Sequence, residues 1–524
     1  MQKFDLQLKG VKLTLIRRQV VGLIAVSTAI RLVLSMLLEL GNDEVYYWTY
    51  ASYPDLSHFD HPPMVGLLIQ ASTLDLLFTD DFFLRLGPIL LAAADTWLMY
   101  RIGAKVKDEY AGLVAAVLFT SSVYCSLIAG FAIIPDAPEL FFWLMALHAS
   151  LDFLPAINIT REDRLSCMLF GVLTGLAMLS KYHAAFLWIG AGAYIILFNR
   201  AWLRDYSLYL SVFLSLVLLA PVIYWNATHD FITFTFHSER VTPSYDLHFD
   251  YFFRELGGQI AYNNPFNYVL IVIACVALIR KKMKATPFMH ILLLNSLPLL
   301  VVFTGFSLFR STLPHWTGPA FLGLTVIAAM YWSPLLKLEK RITPIVGRLM
   351  LPLALLLLMV CAAVFAIDFS PFSFGSSAGD VRIGDGDFTQ DMYGWESIGR
   401  EFKTIALKQE RAGAMKKNAG LVSFKWFPAA HEDFYVANPM VRDLYVVGPL
   451  QDVHKYFWIN EARGGLKRGE DYYHIAVSNY YRDPQSLFGD LFERVEALDT
   501  IVVRRSGTVV RKAFVFKLKN YRGS

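Results

Sequence analysis

The chain has 524 residues, 55% of them hydrophobic and only 18% charged, with a formal net charge of +4 at pH 7. So apolar a composition excludes a large soluble enzyme. The small positive excess is a matter of membrane topology and gives no reason to infer nucleic-acid binding.

Apolar runs of roughly 16 to 25 residues recur as far as Ile367, the length a helix needs to cross a hydrocarbon core of about 30 Å. Eleven spans are predicted, beginning near residues 19, 84, 110, 137, 165, 183, 207, 265, 287, 316 and 345. Lys and Arg crowd residues 3–18, 101–107, 161–164, 200–204, 280–284 and 337–348. The alternate loops keep only Arg85, Lys181, Arg240, Arg254 and Arg310. Because cytoplasmic loops carry the basic excess, the N-terminus is expected in the cytoplasm, and the segment after Ile367 outside. The first span is longer than a signal-peptide core and lacks a small-residue cleavage site before Asn42, so it is read as retained. Residues 1–367 are thus expected to form a polytopic α-helical membrane domain.

Along the chain, the first span ends at Asp43 and Glu44. These open GNDEVYYWTYASYPDLSHFDHPPMVGLLI, from Gly41 to Ile69, a loop dense in aromatics, carboxylates and histidines. Its rings (Tyr46, Tyr47, Trp48, Tyr50, Tyr53) suit either an interfacial belt or a sugar platform. Arg31 and Asp95 lie inside the first two spans, about 14 and 16 Å below the outer surface at 1.5 Å rise per residue. Leaving either unpaired would cost about 2.5 to 3.5 kcal/mol, so they are predicted to pair with each other.

The chemically able residues gather on the outer face: Asp43, Glu44, His58, Asp60 and His61 after the first span, and Arg85 at the start of the second. Asp136 stands between the third and fourth spans, Lys181, Tyr182 and His183 between the fifth and sixth. His237 and Arg240 follow the seventh, and Arg310 and His315 lie between the ninth and tenth. Carboxylates supply a general base, while Arg, Lys and His supply donors for an anionic leaving group; a phosphate-linked lipid substrate fits both. Taken singly, each acid also fits a helix cap and each histidine an interfacial hydrogen bond. Cys125, Cys167, Cys275 and Cys361 all fall in apolar spans and read as packing residues. The tail has no cysteine, so neither a disulfide framework nor a thiolate zinc site is available there.

Residues 368–524 change to the composition of a soluble domain. The stretch PFSFGSSAGDVRIGDGDFTQDMYGW reads as linker and loop. Glu396 to Glu410 reads as helix, and Gly420–Phe424, Leu444–Val447, Tyr473–Val477, Thr500–Val503 and Ala513–Leu518 as strands. A small extracytoplasmic α/β domain is expected.

The ordered motifs NDEVYYW, HFDHPPMVGLLI, FLRLGPIL, IIPDAPELFF, GLAMLSKYHAAFLW and WNATHDFITFTFH resemble the family 39 and 83 glycosyltransferases of the GT-C superfamily. That group includes protein O-mannosyltransferases and the aminoarabinose transferase that modifies lipid A. The similarity covers roughly residues 20 to 335. It implies an inverting transferase that moves a sugar from a polyprenyl-phosphate donor to an acceptor on the extracytoplasmic face of a bacterial inner membrane. By motif, Asp43 would be the catalytic base, with Glu44 completing the acidic pair. Asp136 would hold the acceptor or position Asp43, and Arg85 and Lys181 would face the lipid phosphate. No cofactor is required; a divalent cation could sit among Asp43, Glu44, His58, Asp60 and His61. The long luminal insertion of the protein O-mannosyltransferases is absent, and the lipid A enzymes have more spans and a different tail, so the acceptor is left open. A flippase or transporter of lipid-linked sugars is the alternative. Transporters tend to place ionisable groups near the bilayer midplane, whereas here they gather at one surface.

Overall fold

The computed structural model describes residues 2–241, 246–338, 343–377, 379 and 381–523. It is mostly helical. In chain order come α1 (Gln2–Leu37), α2 (Asn42–Ser52), α3 (Met64–Ser72), α4 (Asp81–Val106), α5 (Glu109–Ser121), α6 (Asp136–Phe153), α7 (Arg161–Met178) and α8 (Phe186–Phe198). Then follow α9 (Tyr206–Thr228), α10 (Ile232–Val241), α11 (Phe249–Tyr262), α12 (Pro265–Ile279), α13 (Pro287–Leu294), α14 (Leu297–Phe306), α15 (Ala320–Leu338) and α16 (Thr343–Val364). The chain divides into two compact units. One comprises Met1–Val33, Asp55–Phe78 and Phe82–Met359; the other comprises Leu34–Pro54, Thr79–Asp81 and Val360–Ser524.

In the first unit the core lies among α5, α6, α7, α8, α13 and α15, with Phe119, Trp143, Leu144, Phe170, Leu187, Ile291 and Val326 buried. Small residues allow close helix approach, as membrane helices require. Gly171 and Gly175 on α7 oppose Ser211 and Ser215 on α9. A Cβ at Gly171 would lie 2.2 Å from the Ser211 carbonyl oxygen, and Ser215 Oγ donates to the Gly171 carbonyl at 2.5 Å.

Among the described residues, five helical stretches are long and apolar enough to cross a membrane: Leu13–Leu37, Asp81–Val106, Tyr206–Thr228, Pro287–Phe306 and Met350–Phe369. The pair α11 and α12, bent by 102°, makes up to six. Of the other expected spans, those beginning near 110, 183 and 316 are shorter apolar helices, Glu109–Ser121, Tyr182–Phe198 and Ala320–Leu335. Most of α5 and much of α15 are packed inside the protein, where a helix need not present a full lipid-facing length.

Arg31 and Asp95 do not form the expected ion pair. Arg31 donates from Nε to the Ser126 carbonyl at 3.0 Å and from Nη2 to Ser126 Oγ at 2.9 Å. Ser126 sits in a π-helical turn, Tyr124–Ile128. The buried Asp95 carboxylate has no hydrogen-bond partner among the described residues.

The second unit holds a five-stranded mixed sheet. After a two-stranded ribbon of β1 (Ser376–Ser377) and β2 (Ile383–Asp385) come β3 (Leu421–Ser423), β4 (Leu444–Val446), β5 (Tyr472–Val477), β6 (Phe492–Arg505) and β7 (Thr508–Tyr521), in the spatial order β4-β3-β5-β7-β6. Strands β4, β3 and β5 are parallel, and β5, β7 and β6 antiparallel. The β6–β7 hairpin turns through Ser506 and Gly507, both at positive φ, as a tight two-residue hairpin requires. Helix α17 (Trp395–Arg411) buries Trp395, Ile398, Phe402 and Ala406 at helical spacing. Within the stretch read as linker and loop lie β1, β2 and a buried Asp387 that accepts from Phe374 N, Thr389 N and the Ser373 hydroxyl.

Candidate active site

In the first unit the site is built where α6 begins. Pro135 precedes the helix and Asp136 and Glu139 occupy its first turn, one above the other on the same face. Opposite them, α7 ends at Met178. Lys181 N–H bonds back to the Ala177 carbonyl at 2.9 Å, and the chain then runs extended through Lys181. That turn delivers two basic side chains to the two acids. Lys181 Nζ donates to Asp136 Oδ2 at 2.8 Å, and His183 Nδ1 lies 3.1 Å from Glu139 Oε1. From the π-helical turn, the Tyr124 hydroxyl donates to Asp136 Oδ1 at 3.2 Å.

Asp136, Glu139 and Tyr124 are at most 1% exposed and Lys181 is 7% exposed. An ammonium carries three donors, and among the described residues only Asp136 accepts from Lys181. The remaining donors can meet an anionic oxygen.

A second group stands beside this one. The Asp60 carbonyl accepts from His237 Nε2 at 2.5 Å, and the His58 carbonyl accepts from Thr233 Oγ1 at 3.0 Å, so α10 is fastened to the segment that carries His58, Asp60 and His61. The His61 and His237 rings are 5.7 Å apart, and those of Tyr182 and His237 5.9 Å. Burial pushes the His61 imidazole down to about 3, opposed by the Asp60 carboxylate; nearby His237 and Lys181 push it the same way as burial. Burial likewise pushes His315 down to about 4, with Asp136 opposing and Lys181 reinforcing. Both rings are therefore neutral donors or acceptors at physiological pH. Arg85 is fully buried with its guanidinium 4.5 Å from the Phe131 ring centroid. The side chain of Arg240 lies outside the described residues.

Asp43 and Glu44 belong to the second unit, in the first turn of α2. Asp43 is exposed. Glu44 is buried, and its Oε2 accepts the Gly41 N–H at 2.9 Å, capping the helix from within. The aromatics that follow form neither an open belt nor an open platform. Tyr46, Tyr47, Trp48 and Tyr50 are at most 5% exposed, with Tyr46 against Trp426 and Trp48 against Phe434. Lys455 Nζ donates to the carbonyls of Thr49 and Tyr53 at 3.0 and 2.5 Å. Asn42 accepts from His431 Nε2 at 2.8 Å, and His431 stacks on Trp395 at 4.3 Å.

Sequence reasoning named Asp136 and Lys181 but missed Tyr124 and Glu139. Glu139 had a signal, its i+3 spacing from Asp136; Tyr124 had none, since its approach depends on the π-helical turn. Among the described residues no group of three or more His, Cys, Asp and Glu side chains is arranged to hold a metal ion.

The profile of the dolichyl-phosphate-mannose-protein mannosyltransferases matches residues 60–225, a stretch that includes Asp60, His61, Arg85, Asp136 and Lys181. A lipid A galacturonosyltransferase, RgtD of Rhizobium johnstonii, is 25% identical over 329 residues, covering 60% of this chain and 65% of its own length; the chain thus spans just under two thirds of that relative. Two solved structures of ArnT from Cupriavidus metallidurans share the fold. The apo form has a TM-score of 0.61 at 14% identity, covering 95% of this chain and 97% of that one. The form bound to undecaprenyl phosphate has a TM-score of 0.61 at 15% identity, covering 95% and 98%. In profile, relative and fold, the chain resembles GT-C glycosyltransferases of the family 39 and 83 type.

Proposed function

We propose that the chain is an inverting glycosyltransferase that moves a sugar from a polyprenyl-phosphate donor to an acceptor hydroxyl at the extracytoplasmic face of a bacterial inner membrane. The observation that carries this reading is the buried Asp136–Lys181 pair, braced by Tyr124 and bordered by neutral His61 and His315. Such a group suits an anion delivered by a lipid, and the ArnT structure of the same fold was solved with undecaprenyl phosphate.

In this mechanism Asp43 accepts the proton of the acceptor hydroxyl. That oxygen attacks the anomeric carbon from the face opposite the phosphate, and the carbon–oxygen bond to phosphate breaks with its electron pair leaving on the polyprenyl phosphate. A base of this kind contributes about 10² to 10⁴ in rate. Lys181 and Arg85 stabilise the charge that grows on the departing phosphate, help that is largest in the transition state. The exposure of Asp43 fits a group that must meet an acceptor, and the Glu44 cap holds the turn that presents it. The N-terminus is cytoplasmic, the tail extracytoplasmic, and the shorter buried helices complete eleven crossings.

The test is sugar transfer by the protein reconstituted in vesicles with labelled polyprenyl-phosphate sugars. The Asp43→Asn protein is expected to bind the donor as the unmodified protein does and to lose turnover. Near-normal turnover in Asp43→Asn would overturn the role of Asp43, and no transfer from any polyprenyl-phosphate sugar by the unmodified protein would overturn the proposed activity.

A further inference from the structure

Where the last membrane helix leaves the bilayer, four phenylalanines stand out of the second unit. Phe369, Phe372, Phe374 and Phe388 are 59%, 70%, 51% and 69% exposed, and the Phe374 and Phe388 rings are 5.8 Å apart. Exposed single apolar residues are ordinary, whereas a cluster of large ones marks a surface that meets something.

The segment is not loose. Arg505, fully buried at the end of β6, donates from Nε to the Ser370 carbonyl at 2.8 Å, from Nη1 to the Ile367 carbonyl at 3.0 Å, and from Nη2 to the Phe372 carbonyl at 2.6 Å. Nη1 also reaches Thr389 Oγ1 at 2.8 Å. Asp387, the residue before Phe388, accepts from Phe374 N–H at 3.0 Å, and the Ser506 hydroxyl donates to the Phe369 carbonyl at 2.7 Å. One guanidinium, one carboxylate and one hydroxyl therefore fix the backbone of the segment that bears the rings, so their outward placement is built rather than incidental.

We infer that Phe369, Phe372, Phe374 and Phe388 form a fixed aromatic foot that enters the lipid interface where the final membrane helix ends, docking the sheet-bearing unit on the bilayer. The occupant follows from continuity. The span Met350–Phe369 carries exposed Phe365 directly into the cluster, so one apolar surface runs from the hydrocarbon core into the foot. Apolar faces rich in Phe, Trp and Leu bury themselves at the boundary between headgroups and acyl chains, with strength that grows with the apolar area buried.

The test places photoreactive p-benzoyl-phenylalanine, one site at a time, at Phe372, Phe388, Phe365 and Val441 in the full-length protein. Each protein is reconstituted in vesicles of phosphatidylethanolamine and phosphatidylglycerol, illuminated and analysed for adducts by mass spectrometry. Phe365 lies in the span, and Val441, 89% exposed, shortly precedes β4, the opposite edge of the sheet from β6, whose Arg505 anchors the foot. Lipid adducts at Phe372 and Phe388 approaching the yield at Phe365, and several-fold above that at Val441, are expected. Adducts at Phe365 alone, equal yields at Phe388 and Val441, or adducts from Phe372 and Phe388 to a second copy of the protein would each overturn the inference. Using two foot positions keeps the result readable if one variant folds poorly.

Discussion

Lys181 Nζ and Asp136 Oδ2 lie 2.8 Å apart with both side chains more than nine-tenths buried, an ion pair shielded from water at the start of α6. Removing one partner of such a pair strands the other, at a cost of about 3–5 kcal/mol. Lys181→Ala is therefore expected to lower stability in detergent and abolish transfer. Asp136→Asn combined with Lys181→Met removes both charges and should recover most of the stability without recovering transfer. Thermal unfolding followed alongside sugar transfer separates the two effects. A Lys181→Ala protein as stable and active as the unmodified one would refute the role of the pair.

Tyr124 depends on a glycine. A Cβ at Gly318 would lie 2.3 Å from the Tyr124 ring, closer than any packed contact, so Gly318→Ala must displace the ring whose hydroxyl bonds to Asp136. Tyr124→Phe keeps the ring and loses only the hydrogen bond, about 0.5–1.5 kcal/mol. Gly318→Ala should therefore impair both stability and transfer more than Tyr124→Phe does, as thermal unfolding and initial rates would reveal.

Glu39 gives the second unit a pH dependence. Its carboxylate accepts from Trp395 N–H at 2.7 Å and Glu396 N–H at 3.3 Å, yet burial, only partly offset by those two bonds, pushes it up to about 7 from its ordinary 4.5. Between those values the unfolded chain has released a proton that the folded protein still holds. Stability therefore falls as pH rises from about 4.5 to 7 and levels off above. The loss is at most about 3 kcal/mol, and less to the extent that water screens the site. Melting temperatures across this range should decline in the unmodified protein and flatten in Glu39→Gln.

Arg505 closes the exit of the last membrane helix by occupying three carbonyls at once. Arg505→Lys keeps the charge but loses the planar fork. Limited proteolysis should cut between 367 and 376 faster in Arg505→Lys, and faster still in Arg505→Ala.

The sheet was largely legible in the chain. All five strand segments read from alternation and apolar runs fall on β3 to β7, and the helix read at Glu396–Glu410 is α17 within a residue at either end. Periodicity reports one buried face, which these elements have. Asp136 and Lys181 were legible because an acid and a base in short apolar turns stand out. What stayed hidden depended on distant partners. Nothing local distinguishes rings at a lipid boundary from rings packed into a core, so the burial of Tyr46, Trp48 and Tyr50 required the C-terminal residues that cover them. The expected pairing of Arg31 with Asp95 rested on depth alone, and depth cannot foresee that a π-helical turn offers Arg31 the Ser126 carbonyl instead. The expected spans near 110 and 316 fall on α5 and α15, apolar helices packed largely within the protein.

The packing of α2 also bears on biosynthesis. The hydrogen bonds from Lys455 to Thr49 and Tyr53, and from the Leu40 N–H to Tyr435, join positions about four hundred residues apart. On a ribosome adding roughly 5–20 residues per second, the N-terminal stretch emerges early, and its partners arrive only as translation closes. The segment bearing the carboxylate at position 43 must therefore wait, its rings uncovered, through the threading of every later helix. Nascent chains arrested before the codons for residues 426–455 would carry that segment without its covering partners.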